Sequence, residues 1–223
     1  MAKKDGMIQK GEGKYSLKGS CLWGLLWFFI LVFIDQLTKM LAQVYFESAG
    51  APQSVPVIGE FIKLCLHYND GIAFSWMENA DMWVKMAIVV GTAVIMTALS
   101  VFYFKVDKRR GWLRAALVLI VAGGVGNLID RLYYQMWLPD IAYGVRDMVD
   151  LSGIKFFGGF NFGICNFADF FIVGGAIVLV LAILFFDKDA LFPVGKYKAL
   201  AKEAEENKAK KQAAEKAPSE KES

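Results

Sequence analysis

Apolar residues in this chain gather into four blocks, and block length sets the first reading. A membrane-spanning helix takes about 20 residues. The stretches from about Leu22 to Tyr45, Met82 to Phe104, Trp112 to Leu132 and Phe167 to Phe186 reach that length. Trp23, Tyr45, Trp83, Tyr103, Trp112 and Tyr133 lie near the block ends, as amphipathic rings do at a membrane–water boundary. The first block is too long for the core of a cleavable signal peptide. It runs into Asp35 and Lys39 without a small-residue cleavage site, so it is expected to stay as a span. Cys21 precedes the apolar run, which is the wrong order for a lipid-attachment site.

Between Ile62 and Tyr68 the period changes. Ile62, Leu64, Leu66 and Tyr68 alternate with Lys63, Cys65 and His67, which predicts a half-exposed strand. Asn69-Asp70-Gly71 then supplies a turn. Phe156-Phe157-Gly158-Gly159-Phe160 predicts a mixed strand or a lid on the membrane surface.

Composition strengthens the membrane reading. Of 223 residues, 56% are hydrophobic and the mean hydropathy is +0.40. The net charge of +3 is small, but the positive residues are segregated. Lys3, Lys4, Lys10, Lys14 and Lys18 precede the first span. Lys105, Lys108, Arg109, Arg110 and Arg114 surround the tight loop between the second and third, and the tail is lysine-rich from Lys188. The two longer loops are poor in Lys and Arg. The positive-inside rule then puts both termini and the short loop in the cytoplasm and both long loops outside. The expected plan is a cytoplasmic leader over 1–20 and a membrane domain over 21–187. Its extracytoplasmic segments cover about 46–81 and 133–166. A charged cytoplasmic tail over 188–223, helix-prone or disordered, carries no chemistry.

Several chemistries are excluded. One histidine, His67, cannot serve a site that needs two, and no Gly-x-Ser-x-Gly elbow, HExxH or Walker A motif is present. Cys21, Cys65 and Cys165 are too few and too scattered for a disulfide framework or a zinc site. No metal, cofactor or nucleic-acid partner is expected.

What remains is a set of polar residues placed where they are costly. Asp35 and Lys39 stand at i and i+4, on one helix face, where they can pair. Asn127, Asp130 and Arg131 close the third span, and Asn166 and Asp169 open the fourth. Asp147 and Asp150 lie in the loop between. All gather at one depth, near the outer surface. Each has a structural alternative. Asp35 and Lys39 form a neutral pair; Arg131 snorkels outward while Asp130 bonds inside; Asn127 bridges helices; Asp169 caps a helix N-terminus. Two nearby carboxylates also suit amide hydrolysis without histidine or metal. They share a proton, so that one activates water while the other donates to the carbonyl oxygen. A small proton- or ion-coupled transporter component is the alternative function. A transport path, however, needs polar residues through the full depth, and here they stop at the outer third.

Five blocks occur in order: Asp35-Gln36-Leu37-Thr38-Lys39, Asn69-Asp70-Gly71-Ile72-Ala73-Phe74, Gly126-Asn127-Leu128-Ile129-Asp130-Arg131, Val145-Arg146-Asp147-Met148 and Asn166-Phe167-Ala168-Asp169. Together they resemble the motif set of bacterial lipoprotein signal peptidases (signal peptidase II), over about Leu22 to Phe186. The resemblance implies a mainly α integral membrane protein, with four transmembrane helices, a small extracytoplasmic β-cradle and a surface loop. It implies an aspartic endopeptidase of the bacterial cytoplasmic (inner) membrane, with its site near the outer face. The substrate would be a diacylglyceryl-modified prolipoprotein, cut just before the lipidated cysteine. Asp147 and Asp169 occupy the catalytic positions. Asp35, Lys39, Asn69, Gly71, Asn127, Asp130, Arg131 and Asn166 occupy positions that support the site or bind substrate. Membrane lipid and globomycin-type cyclic peptides are the further implied partners. Arg146 departs from the family pattern, which often has an apolar residue there. Cys165 stands where phenylalanine is common, the segment Tyr133 to Gly144 is longer than usual, and Asp150 is a second loop acid beside Asp147.

Overall fold

The computed structural model describes residues 17–69, 82–136, 144–154, 162–187 and 189–216. Among these, four helices are long and apolar enough to cross a membrane. Helix α1 runs Leu17–Phe46, α2 Met82–Lys105, α3 Gly111–Asp130 and α4 Phe167–Leu184. Each agrees with a hydrophobic block to within a few residues at either end. The tail forms a further helix, α5, Lys196–Lys216. The Asp70-Gly71 turn and the Phe156–Phe160 segment lie outside the described residues.

Helix α3 is the centre of the bundle. It packs most extensively on α4 and also touches α1 and α2. Most of its buried residues are small or aliphatic, among them Leu113, Ala116, Leu117, Val121, Ala122 and Gly123. Gly123 permits the close approach to α4, since a Cβ there would clash with the Ala168 carbonyl oxygen. The other helices turn large apolar side chains outward: Trp27, Phe29 and Phe33 on α1, Val90, Val94 and Ile95 on α2, Ile177, Val180 and Ile183 on α4. Such belts are costly in water and at home among acyl chains, while the helices satisfy their own backbone groups.

One end of the bundle carries an antiparallel sheet, in the order β1-β2-β3-β4. Its strands are β1 Ser54–Ile58, β2 Ile62–Asn69, β3 Val145–Asp150 and β4 Ile164–Cys165. The expected strand over Ile62–Tyr68 is present, but its alternation is not kept. A register shift falls between Leu64 and His67. The extra residue of such a bulge breaks the period of two, so Cys65 is buried while Leu64 is exposed. Beyond Asp130 the third helix continues as a π-helical turn, Arg131–Met136. At the opposite end, Arg110 Nε pairs with the buried Asp187 at 2.6 Å, and the chain folds back on α4. The backbone N–H groups of Leu191 and Phe192 meet the carbonyls of Ile183 and Leu184.

Candidate active site

Where the sheet meets the bundle, the polar residues singled out in the sequence come together. Asp35, Lys39, Asp130 and Asn166 are wholly buried, and Asp147 is 2% exposed. Burying charge at this density is costly unless every group is paired and hydrogen-bonded, and the partners are present.

The first part is an ionic base. Lys39 Nζ lies 2.8 Å from Asp35 Oδ2 and 3.5 Å from Asp130 Oδ2. The i, i+4 pair expected on α1 therefore forms, with a second carboxylate from α3. Asp35 Oδ1 accepts the Ala168 backbone N–H at 2.9 Å, which ties α1 to the start of α4. Gln36 Nε2 donates to Asp35, to Asp130 and to the Gly126 carbonyl.

Two asparagines rest on this base, and their neighbours dictate which way each amide points. Asn127 Oδ1 accepts from Lys39 Nζ at 2.9 Å, so its Nδ2 faces away and donates to Asp169 Oδ1 at 2.8 Å. Asn166 is the N-cap of α4: its Oδ1 accepts the Asp169 N–H, and its own N–H donates to Asp169 Oδ2, forming a capping box. Asn166 Nδ2 is thereby left to donate to Asp147 Oδ1 at 2.6 Å and to Asn127 Oδ1 at 3.1 Å. Asp169 thus serves as helix cap and as a member of the cluster at once.

Asp147 sits on β3 opposite His67 of β2, with Val145 opposite Asn69. Asn69 Nδ2 reaches across to Asp147 Oδ2 at 3.1 Å. Asp147 and Asp169 are therefore linked through Asn166, whose side chain donates to the first and whose backbone N–H donates to the second. Burial, and next the charge of Asp169, push the Asp147 carboxyl up to about 7; the Asn69 and Asn166 hydrogen bonds and Lys39 oppose this. Arg131 lies within electrostatic reach of Asp169, Asp147 and Asp130. The rival loop acid behaves differently. Asp150 is partly exposed and lies opposite Lys63; its Oδ1 accepts the Ser152 N–H at 2.8 Å, closing a turn. Gly71 lies outside the described residues.

Three participants were not chosen from the sequence. Arg146, noted there only as a departure from the motif, is buried and grips Asp130, Gln36 and Gln43. Its signal was available, since it stands where the related motif is often apolar. Gln36 sat inside a quoted motif, whereas Gln43, one helix turn beyond Lys39, carried no signal.

Cys65 lies on β2 and Cys165 on β4, and burial pushes their thiols up to about 11 and about 12. Among the described residues no three or more His, Cys, Asp or Glu side chains converge as metal ligands would.

Comparisons with known proteins agree with the motif set. A family model described as Signal peptidase (SPase) II matches residues 27–185. The chain is 36% identical over 163 residues to the lipoprotein signal peptidase of Fusobacterium nucleatum subsp. nucleatum, covering 72% of this chain and 86% of that protein. It is 34% identical over 161 residues to that of Borrelia hermsii, covering 72% and 89%. A solved bacterial membrane enzyme, obtained by the in meso method at 2.3 Å resolution, is similar with a TM-score of 0.57 and 28% identity. That match covers 73% of this chain and 87% of the other.

Proposed function

Since this chain belongs to the signal peptidase II family of lipoprotein signal peptidases, we propose that it cleaves as an aspartic endopeptidase with Asp147 and Asp169 as its catalytic pair. The observation that carries the proposal is the joining of these two carboxylates, from β3 and from the first turn of α4, through Asn127 and Asn166. Asp147, with its raised pKa, holds the shared proton and donates it to the scissile carbonyl oxygen. Asp169 takes a proton from the attacking water. The tetrahedral intermediate collapses as the leaving nitrogen is protonated. Asp150 is the weaker candidate because its carboxylate already closes the turn at Ser152.

The substrate is a prolipoprotein whose lipobox cysteine carries diacylglycerol, cut on the N-terminal side of that cysteine. Acyl chains in the bilayer hold the scissile bond near the membrane surface, the depth at which the buried aspartates gather. Asn69, Asn127 and Asn166 hold the pair in place. Asp35, Lys39, Asp130 and Arg131 support it electrostatically, and the motif match alone adds Gly71. Globomycin-type peptides would occupy the same place. The lysine-rich segments orient the chain in the cytoplasmic membrane with both termini inside and the sheet outside.

An ion path is not favoured. Among the described residues, the buried side chains of α3 between Arg114 and Asn127 are apolar or absent: Ala116, Leu117, Val121, Ala122, Gly123, Gly124 and Gly126. The decisive experiment incubates purified protein with a diacylated prolipoprotein, and repeats this with Asp147→Asn and Asp169→Asn. Release of the signal peptide by the wild type, lost by several orders of magnitude in each folded variant, is expected. Near-normal turnover by Asp169→Asn would end the aspartic reading.

A further inference from the structure

We propose that Arg146 is a positioning residue for this reaction, fastening β3 to α1 and α3 so that Asp147 and Asp169 keep their relative placement. The inference rests on the Asp147–Asp169 reading and assigns a task to a residue outside the motif pattern. Neighbouring strand residues point to opposite faces. Asp147 turns toward Asn69 and Asn166, while Arg146 holds the strand from behind.

The grip is extensive. The Arg146 backbone N–H donates to Asp130 Oδ2 at 2.9 Å, Nε to the same oxygen at 3.2 Å, and Nη2 to Oδ1 at 2.8 Å. Nη2 also donates to Gln36 Oε1 at 3.0 Å, and Nη1 to Gln43 Oε1 at 3.1 Å. One side chain thus joins the residue before Asp147 to the end of α3 and to two turns of α1. Only a planar fork reaches these acceptors together, and an ammonium does not.

The second effect runs to Asp169. Arg146 engages both oxygens of Asp130, so Lys39 stays 2.8 Å from Asp35 and 2.9 Å from Asn127 Oδ1, against 3.5 Å from Asp130. That bond to Asn127 turns its amide N–H toward Asp169. Loss of the guanidinium would draw Lys39 toward Asp130 and loosen the donor on Asp169. Arg146 therefore acts on Asp147 through the backbone and on Asp169 through Lys39 and Asn127. The simpler role, a counter-charge that makes buried Asp130 tolerable, predicts something else. It would be satisfied by lysine, or by removing both charges together.

The test measures kcat and KM separately on a diacylated prolipoprotein, with thermal unfolding in detergent as the folding check. Arg146→Lys and the double variant Asp130→Asn/Arg146→Met should fold, keep KM within about threefold and lose about 10- to 100-fold in kcat, the scale of a displacement near 1 Å at a catalytic group. Wild-type kcat in either variant would overturn the positioning role. If the double variant does not fold, Arg146→Lys and Gln43→Leu decide, the latter being expected to lower kcat severalfold at unchanged KM. Asp147→Asn is run alongside. If it is inactive while Arg146→Lys is fully active, the positioning role alone fails. If it stays active, the catalytic pair fails and the positioning role with it.

Discussion

Asp147→Asn should remove a pH dependence of folding as well as the reaction. The carboxyl has an ordinary value of 3.8 in the unfolded chain and about 7 in the fold, with burial and then Asp169 as the causes. The folded protein therefore binds this proton more tightly than the unfolded chain does. The stabilisation from this group is fully present below pH 3.8, is lost as pH rises through about 7, and then levels off. At 1.36 kcal/mol per pH unit, the loss is on the order of 4 kcal/mol. Asparagine does not titrate, but it has its own cost. Asp147 accepts from Asn69 on one oxygen and from Asn166 on the other, so an amide NH2 must face one of these donors, at about 1–3 kcal/mol. The variant should then be less stable than wild type near pH 4 and more stable near pH 8, by about 1–3 kcal/mol each way. Thermal unfolding of detergent-solubilised protein, followed by tryptophan fluorescence from pH 4 to 8, measures the difference. A wild-type-minus-variant Tm gap that keeps its sign and size over this range would refute the raised Asp147 pKa. The assignment of the shared proton to Asp147 would fall with it.

The remaining predictions concern neighbouring residues. Asp147→Asn/Asp169→Asn should turn over little more slowly than either single variant, since groups acting as one unit do not contribute additively, whereas Asp150→Asn should cost about tenfold or less; progress curves on one substrate compare all four. Cys65 and Cys165, with thiols pushed up to about 11 and about 12, should resist alkylation at pH 8 in folded protein, and their serine variants should cleave; rapid labelling with loss of activity would contradict this. Gly123→Ala presses a methyl group on the Ala168 carbonyl of α4, whereas Gly91→Ala meets nothing within 4 Å. The first should cost about 1–3 kcal/mol and lower Tm, and the second should be close to neutral. Cutting the chain before Lys196 removes α5 and the Phe186–Tyr197 ring contact, and turnover should stay within a few-fold.

The spans were legible because a lipid-facing helix declares itself residue by residue, and the Asp35–Lys39 pair because it is local to one helix turn. β1 was missed for a physical reason. Its sequence, Ser-Val-Pro-Val-Ile, carries Pro56, which reads against a central strand and is tolerated here because β1 is an edge, with a register shift at that point. Arg146 was left without a role because its partners are distant in sequence: Asp130 is 16 positions away and Gln36 is 110. The asparagines carried a similar ambiguity. Asn127 does bridge helices, as a structural reading expects, but with Asn166 the bridge ends on two carboxylates.

The distribution of charge explains why asparagines hold those carboxylates. Lys39 sits on Asp35 and close to Asp130, and Arg146 on Asp130, while Arg131 lies within reach of Asp169, Asp147 and Asp130. Among these residues, three cations face four carboxylates. A cluster so deeply buried is cheapest when neutral, and the one proton that the proposed mechanism shares between Asp147 and Asp169 would make it so. A lysine bonded directly to either aspartate would hold it ionised and leave no acid for the carbonyl oxygen. An amide donor fixes the position of a carboxylate with less bias toward its charged state. Lys39 and Arg146 are therefore set one layer back, and Lys39 orients Asn127. The amides of Asn69, Asn127 and Asn166 donate to the two aspartates, which on the proposed mechanism leaves the pair able to exchange a proton with water and substrate.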